Sequence, residues 1–177
     1  MLKETGYGKY GKELSSLKAK VFRVGPIFQN LGLTTELTFK TALLLSGRTK
    51  DQVKCLGHDL VALQTQVRTV RDLKAVEKAA FEAASIIEPP SGMLERLESS
   101  GQEPLTWFNF ATHIRSLNSN YNSYERPDGR RSVEKFRSRY PSTDHLFKEV
   151  CVEAVMAGLD VLLSELQAEL SVGLTYR

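Results

Sequence analysis

The sequence predicts an all-α fold, a single-domain up-and-down bundle of about five helices. Apolar residues recur at steps of three or four along most of the chain, which is the period of an amphipathic helix. No stretch alternates apolar and polar residues for long enough to indicate a sheet. A length of 177 residues is enough for one well-packed domain and short for two.

The first core helix is predicted from about Pro26 to Ser46, because a proline is tolerated in the first turn of a helix. Gly32 is a weak point within it, since glycine is costly in a helix interior. Gly47 is a good stop, and a loop is predicted over Gly47–Gly57. The apolar stripe of this helix is assigned to Leu37, Leu44 and Leu45.

From Leu60 the apolar positions continue at helical spacing as far as Ile87, and the pattern stops at Pro89-Pro90. The periodicity fits one long helix or two helices joined near Thr69. Asp59 is a good helix opener, because its carboxylate can accept hydrogen bonds from the first backbone N–H groups.

A short helical segment is predicted within residues 91–103, and Pro104 is expected to open a further helix. That helix carries one apolar and aromatic side, which we expect to pack in the core. Residues 118–129 read as a polar turn region. The last helix is predicted from about Ser142 to Leu170, with a buried seam of Phe147, Cys151, Val155, Leu159, Leu162, Leu166 and Leu170.

The charge pattern is uneven although the net charge is only +3. Six cations lie between Arg126 and Arg139, and six carboxylates lie between Asp144 and Glu169. We divide the chain into a basic, loosely ordered arm over residues 1–22 and a helical domain over residues 23–177. The basic segment is either a surface that holds phosphates, or part of two surfaces that attract each other between subunits, or an ordinary solvated face.

Two segments carry a family resemblance. The first is TTELTFKTALLLSGRTKDQVKCLGHDLVAL, with a Glu-x-x-x-Lys helix, a glycine and a His-Asp-Leu turn; the second is FRSRYPSTDHLFKEVCVEA, with an Arg-Tyr-Pro turn before a long helix. Both resemble the HEPN superfamily of small helical bundles. The resemblance implies RNA or nucleotide binding, pairing through long helices into a homodimer, and a role in defence, stress or a toxin–antitoxin pair.

Many HEPN members resemble metal-independent ribonucleases with an arginine and a histidine a few residues apart, and Arg139 and His145 match that spacing. A neutral imidazole can exchange a proton with a ribose hydroxyl, and a guanidinium can hold the scissile phosphate. Arg130, Arg131 and Arg137 would then contact the RNA backbone. In the competing interpretation Arg139 pairs with a carboxylate and His145 is an ordinary first-turn residue. Pro141 disfavours a single helix through both residues.

Other polar residues also have two interpretations. Glu36 and Lys40 form either a weak ion pair or one wall of a ligand cleft. His58 is either a base or, as we favour, a helix-start residue bonded to the backbone. His113 is assigned to packing or to the surface. Cys55 and Cys151 are expected to be two reduced structural thiols, with Cys151 inert on the buried seam.

The sequence contains no motif of a nucleotide-binding glycine loop or of a zinc hydrolase, so no cofactor and no metal are expected. No apolar run approaches the length of about 20 residues that a membrane helix needs. The N-terminus has no hydrophobic core of a signal peptide, which predicts a cytoplasmic protein. The function hypotheses are an RNA- or nucleotide-binding protein, with endoribonuclease activity as one form, and a catalytically silent module that binds itself or a partner protein.

Overall fold

A computed structural model describes residues 17–122, 124–125, 131–132 and 147–174 of the chain. Within these residues there are seven α-helices and one 3₁₀ helix, so the all-α class is confirmed and the helix count exceeds the five predicted. The α-helices are α1 (Leu17–Leu45), α2 (Lys50–Cys55), α3 (Leu60–Arg68), α4 (Lys74–Ser85), α5 (Met93–Ser99), α6 (Phe110–Tyr121) and α7 (Val152–Leu174), and the 3₁₀ helix is Pro104–Phe108. A two-residue antiparallel pair, β1 (Tyr124–Glu125) with β2 (Arg131–Ser132), follows α6.

Helix α1 is longer than predicted, because it begins at Leu17 and continues through Pro26. The prediction that Pro26 opens the helix is wrong. A proline inside a helix removes one backbone hydrogen bond, and the neighbouring turns of α1 carry the chain across it. The helix spans the division between residues 22 and 23, which stays a prediction because residues 1–16 lie outside the described part.

The end of α1 agrees with the sequence. Gly47 has a φ of 88°, a left-handed conformation that glycine adopts without steric cost. Its N–H donates to the Leu44 carbonyl and the Arg48 N–H donates to the Leu43 carbonyl, which satisfies carbonyls in the last turn. The loop predicted after Gly47 is wrong in part, since it contains α2, whose first turn is closed by a reciprocal pair of bonds between Thr49 and Gln52.

The pattern from Leu60 belongs to two helices, α3 and α4, so the second of the two alternatives is confirmed. Asp59 caps α3 as predicted, accepting from the N–H groups of Val61 and Ala62. The turn between α3 and α4 contains no glycine or proline. It is held instead by Arg71, whose guanidinium binds both carboxylate oxygens of Glu169 on α7.

The aromatic segment after Pro104 is divided by an extended residue, Asn109, into the 3₁₀ helix and α6. The predicted core position of its aromatic side is confirmed, because Trp107, Phe110, Ile114, Leu117 and Tyr121 are buried. The interpretation of residues 118–121 as turn is wrong. They are the buried last turn of α6.

Helix α7 begins at Val152, so the start predicted near Ser142 is wrong, since residues 147–151 are not helical. Its seam is confirmed from Cys151 to Leu166, whereas Leu170 is exposed. Helix α7 packs closely on α4, and Gly158 allows this, because a Cβ there would lie 2.7 Å from the Phe110 ring and 3.2 Å from Val76.

The inward side of α1 differs from the predicted one. Leu37, Leu44 and Leu45 are exposed, and the prediction that they form the buried stripe is wrong. The side of α1 that packs on α3, α6 and α7 carries Phe28, Leu31, Phe39, Ala42 and Leu43. Among the described residues, no helix combines the length and apolar character needed to cross a bilayer.

Candidate functional site

The predicted catalytic residues Arg139 and His145, and the predicted phosphate-binding residues Arg130 and Arg137, lie outside the described residues. Arg131 is described in its backbone alone, where it pairs with Glu125 across the β1–β2 ladder. The catalytic and RNA-binding assignments of these five residues therefore stay predictions.

The strongest polar feature of the described residues is the carboxylate of Glu36, which is 4% exposed in the middle of α1. Three donors converge on it. The Lys40 ammonium lies 2.7 Å from Oε1, the His58 Nδ1 atom lies 3.0 and 2.9 Å from the two oxygens, and the Tyr121 hydroxyl donates to Oε2 at 2.8 Å. We call Glu36, Lys40, His58 and Tyr121 the Glu36 cluster.

Each member of the cluster comes from a different feature of the local sequence. Glu36 and Lys40 are one turn apart on α1 and therefore share a side of the helix. His58 directly precedes the Asp59 cap of α3, so the start of that helix sets its position. Tyr121 ends the aromatic side of α6. The cluster thus joins three helices at a single carboxylate.

Gly32 makes the Tyr121 contact possible. A Cβ at residue 32 would lie 2.5 Å from the Cγ and Cδ2 atoms of the Tyr121 ring, well inside van der Waals contact. Gly32 is one turn before Glu36, so the ring lies flat on α1 and its hydroxyl reaches the carboxylate. The predicted weak point in the helix is therefore the place where α6 approaches α1 most closely.

The electrostatics of the cluster favour a charged Glu36. Burial alone raises the pKa of this carboxyl, but hydrogen bonds from Lys40, His58 and Tyr121 outweigh burial, and the pKa falls below its ordinary value of 4.5. The buried anion is thus held by one cation and two further donors. The interpretation of Glu36 and Lys40 as a weak surface ion pair is wrong, because the carboxylate is buried.

The outer atoms of the cluster face solvent. The His58 side chain is 41% exposed and the Lys40 side chain is 22% exposed, against 5% for Glu36. A carboxylate can only accept, so the His58 Nδ1 atom carries a proton and proton exchange by the neutral ring falls to Nε2. The arrangement presents an ammonium and an oriented imidazole side by side, which suits a phosphate or a hydroxyl.

Polar residues at the end of α6 hold the surroundings of the cluster in place. The Asn118 side chain accepts from the Leu60 N–H at 2.9 Å and donates to the Asp59 carboxylate at 3.2 Å, which fixes the start of α3. The Asn120 side chain forms two bonds of 2.7 Å with the Lys148 backbone. The last turn of α6 therefore organises both α3 and the approach to α7.

The chain also enters and leaves residues 133–146 near this turn. On one side, Ser132 pairs with Tyr124, just after α6. On the other side, the Phe147 ring packs on Phe28 with centroids 5.4 Å apart, and Lys148 is held by Asn120. The described residues that flank the predicted Arg139–His145 pair thus belong to the same end of the bundle as the Glu36 cluster.

Sequence reasoning singled out Glu36, Lys40 and His58 but missed Tyr121 and the two asparagines, Asn118 and Asn120. The signal for Tyr121 was its place at the end of an aromatic side, where a hydroxyl needs a polar partner once buried. The asparagines were assigned to a turn. Their helical spacing from Ile114 and Leu117 could have placed them in α6.

His113 and the cysteines are less suited to chemistry. His113 is fully buried, its Nδ1 atom accepts from the Cys151 N–H at 3.3 Å, and burial lowers its pKa to about 4, which confirms the packing interpretation. Cys151 is buried, and burial raises the pKa of its thiol to about 12, so its predicted inertness is confirmed. Cys55 is exposed, so its assignment as a structural thiol is wrong.

Within the described part of the chain, no three histidine, cysteine or carboxylate side chains are grouped as a metal would require. Comparisons with protein-family models, with curated proteins and with solved structures gave no match. The HEPN resemblance therefore stays a prediction, and the geometry of the Glu36 cluster is the principal guide to function.

Proposed function

We propose that this protein binds RNA or nucleotides through their phosphate groups, and that the Glu36 cluster forms part of the binding surface. The observation that carries the proposal is the convergence of Lys40, His58 and Tyr121 on one buried carboxylate. It agrees with the function implied by the HEPN resemblance.

The physical argument concerns the cost and the result of burying Glu36. A carboxylate removed from water needs nearly every lone pair satisfied, and the three donors meet that need. A purely structural link between helices could use neutral groups at lower desolvation cost. Here the charged carboxylate instead orients an ammonium and an imidazole whose outer atoms remain partly exposed. Such preorganised donors suit an anionic ligand.

The nuclease form of the proposal assigns catalysis to Arg139 and His145, with Arg130, Arg131 and Arg137 along the RNA backbone. The flanking residues Ser132 and Phe147 lie at the end of the bundle that carries the Glu36 cluster, which supports a shared surface. The product would be a 2′,3′-cyclic phosphate formed without a metal. We further propose that the protein acts in the cytoplasm as a homodimer in a defence or toxin–antitoxin role.

A second candidate, a catalytically silent interaction module, is supported by a different observation. Leu33, Leu37 and Leu44 are exposed on α1, and exposed leucines in a row are typical of protein-binding surfaces. This candidate predicts association with protein and none with RNA or nucleotides.

The binding proposal is tested by titrating labelled single-stranded RNA, and separately a fluorescent nucleotide, with the protein in EDTA. We expect Lys40→Gln to weaken binding roughly fivefold, the loss of about 1 kcal/mol of phosphate contact. Glutamine can still donate to Glu36. The matched control is Lys78→Gln, which removes the same charge from the exposed side of α4. Binding should also weaken as salt rises.

Several outcomes would decide between the candidates. Equal affinity of both lysine variants would remove the Glu36 cluster from the binding surface. Absence of binding to either ligand would favour the interaction module. The nuclease form is tested in the same tubes: it expects cleavage that both Arg139→Ala and His145→Ala abolish, and intact RNA after long incubation would overturn it.

A further inference from the structure

The outward side of α1 is apolar and nearly free of charge. Leu37 is 55% exposed, Leu44 is 42% exposed and Leu33 is 39% exposed. In residues 25–45 the only charged residues are Glu36 and Lys40, and these bind each other. We call Leu33, Leu37 and Leu44, with the exposed Asn30, the leucine face.

The spacing of this face is that of a helix-pairing seam. Residues 30, 33, 37, 40 and 44 follow one another in alternating steps of three and four, the repeat by which one helix packs along another. Because each residue turns about 100° around the helix axis, these positions form one narrow strip along α1. The described helices α3, α6 and α7 pack on the other side of α1 and leave the strip uncovered.

We infer that the leucine face is the docking surface for a second copy of this chain, with α1 crossing its antiparallel counterpart near Leu37. The inference rests on the proposed homodimer and names its surface. The strip is symmetric about Leu37, since Asn30 and Leu44 are equally distant from it, as are Leu33 and Thr41. An antiparallel two-fold axis at Leu37 therefore places leucine against leucine and polar residues near the ends.

Charge also favours a second copy as the occupant. The chain has a net charge of +3, so two copies repel through most pairs of charged surfaces. The leucine face avoids this repulsion, because its neighbouring cation, Lys40, is neutralised by its own Glu36. An acidic or basic partner would find no complementary charge on this strip.

Pairing at this face would bring both Glu36 clusters to the interface. Lys40 lies one turn from Leu37 and one turn from Leu44, so each cluster borders the strip. The strip from Asn30 to Leu44 is roughly 21 Å long at 1.5 Å per residue. A contact made by one helix pair of this length belongs to the small class of interfaces, so we expect a reversible dimer whose population depends on concentration.

The first test is sedimentation of the full chain over a wide concentration range. We expect the wild type to pass from monomer to dimer, and the double variant Leu37→Gln/Leu44→Gln to remain a monomer. The matched control, Leu105→Gln/Leu170→Gln, alters two exposed leucines elsewhere and should dimerise like the wild type. Circular dichroism of each variant checks that the helices form.

The second test detects the axis directly. In a Cys55→Ser background, Leu37→Cys should give a covalent dimer on mild oxidation with diamide, because Cα atoms at a helix crossing come close enough for a disulfide. Leu105→Cys in the same background is the control and should not crosslink.

The outcomes separate this inference from the proposed function. A wild type that stays monomeric at every concentration overturns both the homodimer and its surface. A dimer that survives Leu37→Gln/Leu44→Gln, with no crosslink at residue 37, overturns the surface alone. RNA and nucleotide binding are measured independently, so their absence would leave this result standing.

Discussion

Glu36 and His113 are two buried titratable residues in one bundle, and the fold treats them in opposite ways. Glu36 is surrounded by three donors, which lower its pKa and keep it charged. His113 lies against the Trp107 ring, with centroids 4.9 Å apart, and burial lowers its pKa to about 4, which keeps it neutral. Burial alone thus removes charge, and a buried charge persists only where partners converge. The comparison distinguishes a candidate site from a core residue.

The largest effect is expected from the pH dependence of His113. Its pKa is 6.5 ordinarily and about 4 in the fold, so the unfolded chain binds more protons between these values. Stability contributed by neutral His113 is complete above pH 6.5 and is lost as pH falls towards 4, by about 3 kcal/mol at 1.36 kcal/mol per unit.

Urea unfolding at a series of pH values measures this loss. His113→Gln should be less stable at neutral pH but should lack that slope between pH 6.5 and 4, whereas His58→Gln should retain it. An unchanged slope in His113→Gln would show that burial of this histidine does not control acid stability.

Glu36→Gln should produce the next largest effect, about 2 kcal/mol at neutral pH, because it weakens three charge-assisted hydrogen bonds at once. The pKa of Glu36 is lowered in the fold, so its contribution is present above the ordinary value of 4.5 and is lost as pH falls through the folded value.

The difference in unfolding free energy between wild type and Glu36→Gln should therefore be constant near neutral pH and shrink below about pH 4.5. This window lies below that of His113, so the two groups can be separated in one pH series. A difference independent of pH would mean that the carboxylate charge does not stabilise the cluster.

Two helical glycines provide a matched pair for the same comparison. Gly32→Ala and Gly158→Ala each place a methyl group against an aromatic ring, Tyr121 in the first case and Phe110 in the second. Overpacking costs about 1–3 kcal/mol, offset by roughly 1 kcal/mol of improved helix propensity. We expect both variants to lose about 1 kcal/mol in urea unfolding.

Their binding properties should differ. Gly32→Ala displaces the Tyr121 hydroxyl from Glu36 and should weaken RNA or nucleotide binding, whereas Gly158→Ala changes apolar packing and should bind like the wild type. Equal binding by both would separate the Tyr121 contact from ligand recognition.

The same contrast explains what the sequence could predict. Helix periodicity and the caps at Gly47 and Asp59 depend on neighbouring residues, and these predictions are confirmed. The pairing of Glu36 with Lys40 is also local, one turn along a helix. The helix α2 was missed, although Thr49 and Gln52 have the spacing of a capping box.

Contacts between distant parts of the chain could not be read in this way. The inward side of α1 is chosen by α3, α6 and α7, and a run of three leucines at 43–45 is compatible with either side. Tyr121 meets Glu36 only because α6 lies against Gly32. The candidate site therefore had recognisable parts, but their convergence depends on tertiary packing.

The smallest effect should come from Tyr121→Phe, which keeps the ring on Gly32 and removes one donor to Glu36. We expect a loss of about 1 kcal/mol in urea unfolding, the usual contribution of one hydrogen bond. Because Lys40 and His58 remain, the carboxylate should stay charged and RNA affinity should change less than in Gly32→Ala. A larger binding loss in Tyr121→Phe than in Gly32→Ala would assign the hydroxyl itself to the ligand, and the role of Tyr121 would shift from supporting the carboxylate to contacting the phosphate.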